Sequence, residues 1–533
     1  MPNFVSKVHK KMSREQLAND IWRACDIMRR DNNCGGIMEY VEHLTWVLFL
    51  KFLDDQENIF EAEAAIKGRS YTRILSGQYR WSSWVSQALG EKDPTTGRRK
   101  APKWAADDLL PFVHGTLFRQ LRSLSGSPER EVIAGVFSDR NVIVCASPYN
   151  LKDVLEIVDN IDFKNQDDIH TVSHVYENLL QRLGNENKMA GEFYTPRPVI
   201  RFIVQIVNPS IGETVYDPAC GSAGFLVEAY EHMRTVEKSR KHYETLQRKT
   251  FVGQEKKAVP ALFGLVNLVL HGVLAPDIRR RNTLEENIRN VSERFDVIVT
   301  NPPFGGTENA QIQQNFPVKS NATELLFIEH IMKKLKAKDG ARCGMVVPEG
   351  TLFRGGAFAT VKADLLQDWN LHTVVSLPPG TFAPYSDVKT GLLFFERPGP
   401  TKETLYYELL LPEGLKKFSK GNPIADEHFA EARNIWRHWD EYRKGQGRQP
   451  KLPAHAWIET AETLVSRGYD LSAKNPNRSE REKLPHPAEL IASLLERNRE
   501  LHSILENLQM MLSNGNGEKS EEADDVTSDK SRL

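Results

Sequence analysis

The sequence predicts an α/β protein whose mainly parallel sheet follows a helical N-terminal domain. Two observations carry this prediction: β-branched runs alternate with amphipathic helical runs in the middle of the chain, and the last two such runs have no helix between them. The predicted strands are Thr214–Tyr216, Thr250–Val252, Val297–Val299, Gly344–Val347, Thr373–Val375 and Leu392–Phe395. The predicted helices are Val199–Val207, Ala223–Met233, Lys257–Leu270, Thr323–Lys336 and Ala357–Gln367. Alternation of this kind indicates a parallel sheet covered on both faces, with the last strand antiparallel at its edge.

The first part of the chain is predicted to be a helical domain over residues 13–165, after a flexible basic lead over residues 1–12. Ser13–Gln16 has capping-box spacing, which predicts that a helix begins there. A second helix is expected over Met38–Asp54, and another over Asp167–Arg182, ending at Gly184.

Two features of this domain have alternative interpretations. The aromatic cluster of Tyr79, Trp81 and Trp84 is typical of a core or a subunit contact, and stacking on bases is the alternative. The basic, turn-rich segment 92–103 predicts an exposed loop, with contacts to phosphates as the alternative.

After a catalytic domain over residues 166–400, the predicted pattern weakens. Residues 401–480 form an extension of charged helices and turns, in which Gly468–Leu471 is the only distinctive segment. Residues 485–512 predict an amphipathic helix with heptad spacing, and Asn498 occupies one seam position. This helix either docks on its own protein or forms a coiled coil with a partner. Residues 513–533 are polar and charged, and predict a disordered tail.

Composition excludes several classes of protein. The 533 residues contain 70 basic and 71 acidic side chains, a formal charge of −1, so any nucleic-acid surface must be local or supplied by a partner. Five scattered cysteines argue for a reducing compartment and against a disulfide framework or a zinc site, so no metal is expected. Apolar runs are too short to span a membrane. A cytoplasmic protein without membrane contact is therefore predicted.

A short strand that stops at Asn301-Pro302-Pro303-Phe304 marks the first candidate site. Prolines cannot continue a strand ladder, so carbonyls are freed where the strand ends. Ligands of open α/β sheets bind at the carboxyl ends of strands. An amide, free carbonyls and an aromatic face at that place suit a flat group with polar edges, such as a nucleobase.

A glycine-rich turn after the first strand marks the second candidate site. It runs from Asp217 to Phe225 and opens a helix, whose N-terminus attracts a carboxylate or a phosphate. Glu255 ends the next strand and could accept both hydroxyls of a ribose. The dinucleotide and P-loop motifs are absent from the sequence, so NAD and ATP are poorly supported. Glu255-x-Lys257 also matches a fragment of a nuclease motif, which chance explains better.

Three motifs together carry a resemblance. Glu192–Arg197 (EFYTPR), Asp217–Phe225 (DPACGSAGF) and Asn301–Phe304 (NPPF) stand in the order found in amino-group DNA methyltransferases that use S-adenosyl-L-methionine. Over most of residues 13–480 the chain resembles the modification subunit of type I restriction–modification systems. The resemblance implies a Rossmann-like methyltransferase fold with an all-α domain before it and a helical extension after it. It also implies partners: double-stranded DNA, a DNA specificity subunit, a second copy of this chain and, for restriction, a motor nuclease.

The resemblance also implies roles for individual residues. The methionine end of the cofactor would lie against the motif formed by Glu192, Phe193, Tyr194, Thr195, Pro196 and Arg197. Its amino acid part would be held by Asp217, Gly221, Ser222, Ala223 and Gly224. Its ribose would contact Glu255, and its adenine Asn282.

The expected reaction is methyl transfer to the N6 amine of a flipped adenine. The side-chain oxygen of Asn301 and the carbonyl of Pro302 would accept hydrogen bonds from the two N–H groups of the amine, and Phe304 would stack on the base. Cytosine C5 chemistry is disfavoured because Cys220 lies in the cofactor loop instead. Leu377–Phe382, with Pro384 and Tyr385, is either a second wall of the base pocket or a structural loop. The alternatives are methyl transfer to a protein glutamine or to RNA, and a non-catalytic scaffold that binds DNA.

Overall fold

The computed structural model describes residues 14–93, 95–138, 142, 144–164, 166–186, 195–237, 239–248, 250–383, 386, 388–472, 474–477 and 487–515. The predictions for residues 1–13, Glu192, Phe193, Tyr194, Pro384, Tyr385 and 516–533 lie outside these described residues. The chain divides into two compact units, Met1–Asn475 and Pro476–Leu533.

Helices make up the first part of the larger unit. They are α1 (Arg14–Arg29), α2 (Ile37–Ile66), α3 (Trp81–Leu89), α4 (Ala106–Phe112), α5 (Phe118–Arg122), α6 (Pro128–Val136), α7 (Pro148–Asp159) and α8 (Gln166–Glu186). Helix α8 continues past Gly184, so the predicted end at that glycine is wrong. Trp81 and Trp84 are buried, which confirms that they belong to a core.

Helix α2 is longer than the sequence pattern predicts, because polar side chains beyond its apolar run are buried and paired. Asp55 is bound by Lys51 Nζ at 2.8 Å. Asp54 is bound by Arg73 Nη2 at 2.6 Å. These ion pairs stabilise the helix around Asp54 and Asp55, where the apolar run ends, and a hydrophobic pattern does not show them. Residues 58–66 of the helix are partly or fully exposed.

The described residues contain nine strands in one sheet, in the order β3-β2-β1-β4-β5-β7-β6-β8-β9. The strands are β1 (Val215–Asp217), β2 (Phe251–Glu255), β3 (Asp277–Arg280), β4 (Val297–Thr300), β5 (Arg342–Pro348), β6 (Asn370–Ser376), β7 (Thr390–Glu396), β8 (Glu403–Glu408) and β9 (Ala456–Thr460). Strands β1 to β5 pair in parallel, and β7 is antiparallel to both of its neighbours.

The prediction for β7 is confirmed in its direction and wrong in its position. The strand lies between β5 and β6 rather than at an edge. Gly391–Phe395 is buried throughout, which only a central strand covered on both faces allows. Strands β3, β8 and β9 were not predicted; DIRR has a single apolar residue, and ETLYYE and AWIET have apolar runs of only three residues. The segment 401–480 therefore contains two strands of the sheet besides its helices α17 (Ala430–Arg443) and α18 (Ala461–Ser466).

Helices cover both faces of the sheet. In β4, Val297 and Val299 belong to one core cluster, and Ile298 to the other, as alternation along a strand requires. The first cluster includes α9 (Arg197–Val207), α10 (Gly224–Arg234) and α12 (Ala258–Leu270). The second includes α14 (Thr323–Lys334) and α16 (Ala357–Asp368). Shorter helices are α11 (Arg240–Arg248), α13 (Ala310–Gln313) and α15 (Glu349–Phe353).

The N-terminal helices share the first core cluster with the sheet, since α2 and α8 both pack against α12. The domain boundaries at residues 165 and 400 remain predictions. No helix among the described residues has the length and apolar character to cross a membrane.

The second unit contains one helix, α19 (Pro487–Gly515). Its seam residues Ile491, Leu494, Leu501, Leu505 and Leu508 are exposed. Docking on the same protein and a coiled coil with a partner both remain open.

Candidate active site

The carboxyl ends of β1, β2 and β4 meet at one edge of the sheet and bring the predicted site residues together. Strand β1 lies between the other two, with Asp217 opposite Gly253 and Tyr216 opposite Ile298. Strands β2 and β3 follow on one side of β1, and β4 then lies on its other side, so the strand order reverses at β1. This is the switch point at which open α/β sheets bind ligands.

Asn301 follows β4 directly, and its two side-chain atoms have different surroundings. Its Nδ2 donates a hydrogen bond to Thr195 Oγ1 at 3.0 Å. Its Oδ1 is buried and has no hydrogen-bond partner among the described residues. A buried acceptor without a partner costs about 1–3 kcal/mol, and a ligand N–H would recover this free energy. The next residue, Pro302, is also buried.

Phe304 is partly buried beside the loop Leu377–Phe382, for which the sequence leaves open a second wall of the base pocket or a structural loop. Its ring lies 6.2 Å from the ring of Phe382, centroid to centroid, at an interplanar angle of 83°. Through this edge-to-face contact Phe382 supports the Phe304 ring.

The glycine-rich turn requires unusual backbone angles. Gly221 has φ of 50°, and Ala223, a residue with a Cβ, has φ of 59° at the start of α10. Helix α12 holds this turn from behind. A Cβ at Gly264 would lie 2.8 Å from the Gly221 carbonyl oxygen, so only glycine allows the approach. Asn267 Nδ2 donates to the Ser222 carbonyl at 2.8 Å.

Asp217 is the buried carboxylate of the site. Burial raises its pKa to about 7, against the opposing effects of the Thr300 hydroxyl and the Ala219 amide. Its Oδ1 accepts from Ala219 N at 3.1 Å. A cationic ligand group beside Asp217 would favour the ionised carboxylate.

Glu255 and Asn282 make local bonds. Glu255 Oε2 accepts from Gly221 N at 3.2 Å, and Oε1 accepts from Lys257 N at 2.8 Å. Burial raises the pKa of Glu255. Each oxygen keeps a lone pair for a ligand hydroxyl. Asn282 Oδ1 accepts from Leu284 N at 3.2 Å and caps a short turn. Their assigned contacts with ribose and adenine stay predictions.

A pocket adjoins these motifs. Its lining includes Thr195, Arg197, Asp217, Gly221, Ser222, Gly224 and Asn301. Glu255 and Asn282 are not part of this lining. A carboxylate and the N-terminus of α10 in one cavity suit the ammonium and carboxylate groups of an amino acid.

Arg197 lies in the cavity wall, but its guanidinium is engaged in structural contacts. Nη1 donates to the Gly224 carbonyl at 2.9 Å, and Nη2 pairs with Glu177. His271 Nε2 lies 3.3 Å from the same Glu177 carboxylate. Although burial opposes ionisation, Arg197 and His271 lower the pKa of Glu177 to about 2. Arg197 thus positions the start of α10.

The sequence pattern missed several residues that shape the site. Glu177, Gly264 and Asn267 lie on helices that were predicted only as amphipathic or core helices, and His271 directly follows one of them. Thr283 Oγ1 donates to the Pro218 carbonyl at 2.5 Å, which ties the third βα loop to the turn. None of these belongs to a local motif, so a sequence signal for them would require the pairing of helices and loops to be known.

The cysteines show no sign of acting as nucleophiles. Cys220 is buried, and burial raises the pKa of its thiol well above the usual value. Within the described residues, Asp31, Cys34 and Cys145 form one group whose ligand atoms lie within 4.8 Å of one another. Asp31 already accepts from the amides of Ala146 and Ser147 and from Asn150 Nδ2. We therefore assign no metal to it.

Comparison with known proteins gives the family. The pattern of the N-6 DNA methylase family matches residues 167–484, and that of the HsdM N-terminal domain matches residues 17–158. The EcoEI methylase subunit of a type I restriction enzyme from Escherichia coli is 35% identical over 91% of this chain and 96% of that protein.

Two solved structures are similar over most of the chain. One is a chain from a study of the structural basis of complex assembly and conformational transition of the type I R-M system. It is 66% identical to this chain, with a TM-score of 0.79. It matches 95% of this chain and 99% of that one. A modification subunit of a putative type I restriction enzyme from Vibrio vulnificus YJ016 is 37% identical, with a TM-score of 0.71 over 87% of this chain and 98% of that one.

The chain therefore belongs to the N-6 DNA methylase family, among the methylase subunits of type I restriction enzymes. The predicted resemblance, the fold class and the class of enzyme, a DNA adenine methyltransferase, are confirmed.

Proposed function

We propose that this chain transfers a methyl group from S-adenosyl-L-methionine to the N6 amine of an adenine flipped out of double-stranded DNA. One observation carries the proposal. Asn301 has a buried oxygen without a partner among the described residues, while its amide nitrogen is held by Thr195. An oriented acceptor of this kind suits an exocyclic amine.

The residues around the cavity fit the cofactor. Asp217 would bind its ammonium group, and Gly221, Ser222, Ala223 and Gly224 would bring backbone N–H groups to its carboxylate. Glu255 would accept its ribose hydroxyls, and Asn282 would face its adenine. Thr195, with Glu192, Phe193, Tyr194, Pro196 and Arg197 of the same motif, would border its methionine end. When bound, the cofactor supplies an electrophilic methyl group on a sulfonium.

The chain activates the amine by hydrogen bonding. An adenine amine is a poor nucleophile because its lone pair is delocalised into the ring. Asn301 Oδ1 and the Pro302 carbonyl would each accept a hydrogen bond from one N–H group of the amine, which draws the nitrogen toward tetrahedral geometry. Phe304 stacks on the base and fixes its plane. Positioning and fixed dipoles thus provide the catalysis, and no side chain needs to act as a nucleophile.

The chain would read its DNA site through a separate specificity subunit. Its formal charge of −1 gives no overall attraction to phosphates. Two copies of this chain would assemble with one specificity subunit, and a motor nuclease would join for restriction. The relatives support assembly with other subunits, because one is a methylase subunit of a type I restriction enzyme and another comes from a study of type I complex assembly.

A transfer assay with the tritiated methyl donor tests the substrate class. The chain, purified with the specificity subunit of its own system, is offered unmethylated duplex, RNA and its own protein components. Label in DNA supports the proposal. Label only in RNA or protein would overturn it in favour of another amino-group methyltransferase, and no label at all would favour a non-catalytic scaffold.

A further inference from the structure

Phe353 is an exposed aromatic residue at the end of α15. It is 55% exposed, and among the described side chains it is the only exposed phenylalanine. Single exposed apolar residues are common on proteins, so exposure alone assigns nothing. The inference depends on the place of Phe353 in the fold and on the hydrogen bonds that hold the backbone on both sides of it.

Phe353 lies at the same edge of the sheet as Asn301, the edge formed by the carboxyl ends of the parallel strands. Strand β5 runs parallel to β4, with Met345 opposite Thr300. Helix α15 begins directly after β5, at Glu349. Phe353 therefore lies one strand away from the proposed base pocket, on the ligand-binding edge of the sheet.

The backbone on both sides of Phe353 is held in place. Lys362 Nζ, on α16, donates to the carbonyls of Leu352 and Arg354 at 2.6 and 3.0 Å. Lys362 is only 2% exposed, and a buried ammonium is tolerated only when it is hydrogen-bonded. Leu471 N also donates to the Leu352 carbonyl, at 2.9 Å. The distinctive segment Gly468–Leu471 thus supports this turn.

The surface beside Phe353 is open, and the neighbouring Arg354 is held by two contacts. At Gly355 and Gly356 no atom of the described residues, the chain neighbours aside, lies within 4 Å of the position that a Cβ would occupy, so another chain can approach the backbone there. The Arg354 guanidinium stacks on Phe358 at 4.4 Å and pairs with Glu324 at 3.3 Å, with its side chain 52% exposed.

We propose that Phe353 inserts into the DNA base stack beside the target adenine and stabilises the duplex from which that adenine has been flipped. The inference rests on the proposed function. Apolar side chains inserted between base steps are a general way to offset unstacking. DNA is favoured over a protein partner because an exposed aromatic residue, on a backbone turn held by hydrogen bonds, lies one strand from the proposed base pocket and beside an open glycine pair.

The test compares two DNA substrates in the assembled complex. In one, the target adenine is paired with thymine; in the other, it lies opposite an abasic site and needs less energy to flip. For Phe353→Ala, methylation of the paired duplex should fall by about ten-fold or more, and methylation of the abasic duplex by about two-fold or less. Phe353→Trp should keep most activity on both. Tyr149→Ala, which removes another exposed aromatic residue, is the control.

The outcomes are separable. Equal loss on both substrates, or no loss on either, would overturn the role of Phe353. Loss of assembly with the specificity subunit in Phe353→Ala would show a protein contact instead and overturn it too. Failure of the unaltered complex to methylate either DNA would count against the proposed function itself.

Discussion

Asn301 and Thr195 are joined by a hydrogen bond of 3.0 Å from amide nitrogen to hydroxyl, although they come from different motifs. The bond directs the amide oxygen of Asn301 away from Thr195. As a consequence, Thr195, two residues before α9, determines the orientation of the acceptor at the end of β4.

Replacing Thr195 should therefore impair catalysis more than binding. In Thr195→Val the hydroxyl acceptor is lost and the Asn301 amide is free to rotate. We expect kcat to fall by about ten-fold or more, because a misplaced hydrogen-bond acceptor no longer stabilises the transition state. Steady-state kinetics on duplex DNA measures it. Thr195→Ser keeps the hydroxyl and should retain most activity; equal losses in both variants would refute the role of the bond.

Asp217 should make the cofactor-free protein less stable as the pH rises. Its pKa is raised to about 7 in the folded state from 3.8, so its contribution is fully present below about pH 4 and is lost as pH rises through 7. Asp217→Asn should be more stable than the unaltered chain at pH 8, by about 2–4 kcal/mol, with no difference near pH 4.

Urea unfolding without cofactor at several pH values checks this prediction. The same substitution should weaken binding of the cofactor, measured by calorimetry, because the carboxylate for its ammonium group is lost. An Asp217→Asn variant that is less stable at pH 8 would contradict the assignment.

Glu177 should behave in the opposite way. Its folded pKa of about 2 lies below the ordinary 4.5, so its contribution is present above pH 4.5 and is lost as the pH falls toward 2. Glu177→Gln should lower stability at pH 7 by about 2–3 kcal/mol, and the deficit should shrink below pH 4.5. Thermal unfolding across this range measures it. Glu413→Gln, at an exposed position, is the control; a deficit independent of pH would count against the ion pair.

Gly264 should tolerate no side chain. A Cβ would lie 2.8 Å from the Gly221 carbonyl, so Gly264→Ala must displace the glycine-rich turn and should weaken cofactor affinity by about ten-fold or more. Gly135→Ala is the matched control, because a Cβ there meets no atom within 4 Å and α6 should become slightly more stable. Calorimetry of cofactor binding compares them, and unchanged affinity in Gly264→Ala would be inconsistent with the close contact.

The sequence predicted those parts of the fold and site that local patterns encode. Strand β4 and its proline-terminated end are a continuous apolar run followed by a motif, so both could be found. Strand β3 has one apolar residue, Ile278, and offered no such run. The position of β7 depends on which strands pair, which chain order does not determine. Glu177 and Gly264 act through contacts between helices, and these become visible only in the folded chain.

The central claim is that Asn301 accepts a hydrogen bond from the adenine amine during methyl transfer. Mass spectrometry of nucleosides from duplex DNA treated with the assembled complex tests it, comparing the unaltered chain with Asn301→Ala. The account predicts N6-methyladenine with the unaltered chain and at least about 100-fold less with Asn301→Ala, with assembly and cofactor affinity largely retained. Undiminished N6-methyladenine in the variant, or a methylated base other than adenine, would contradict it.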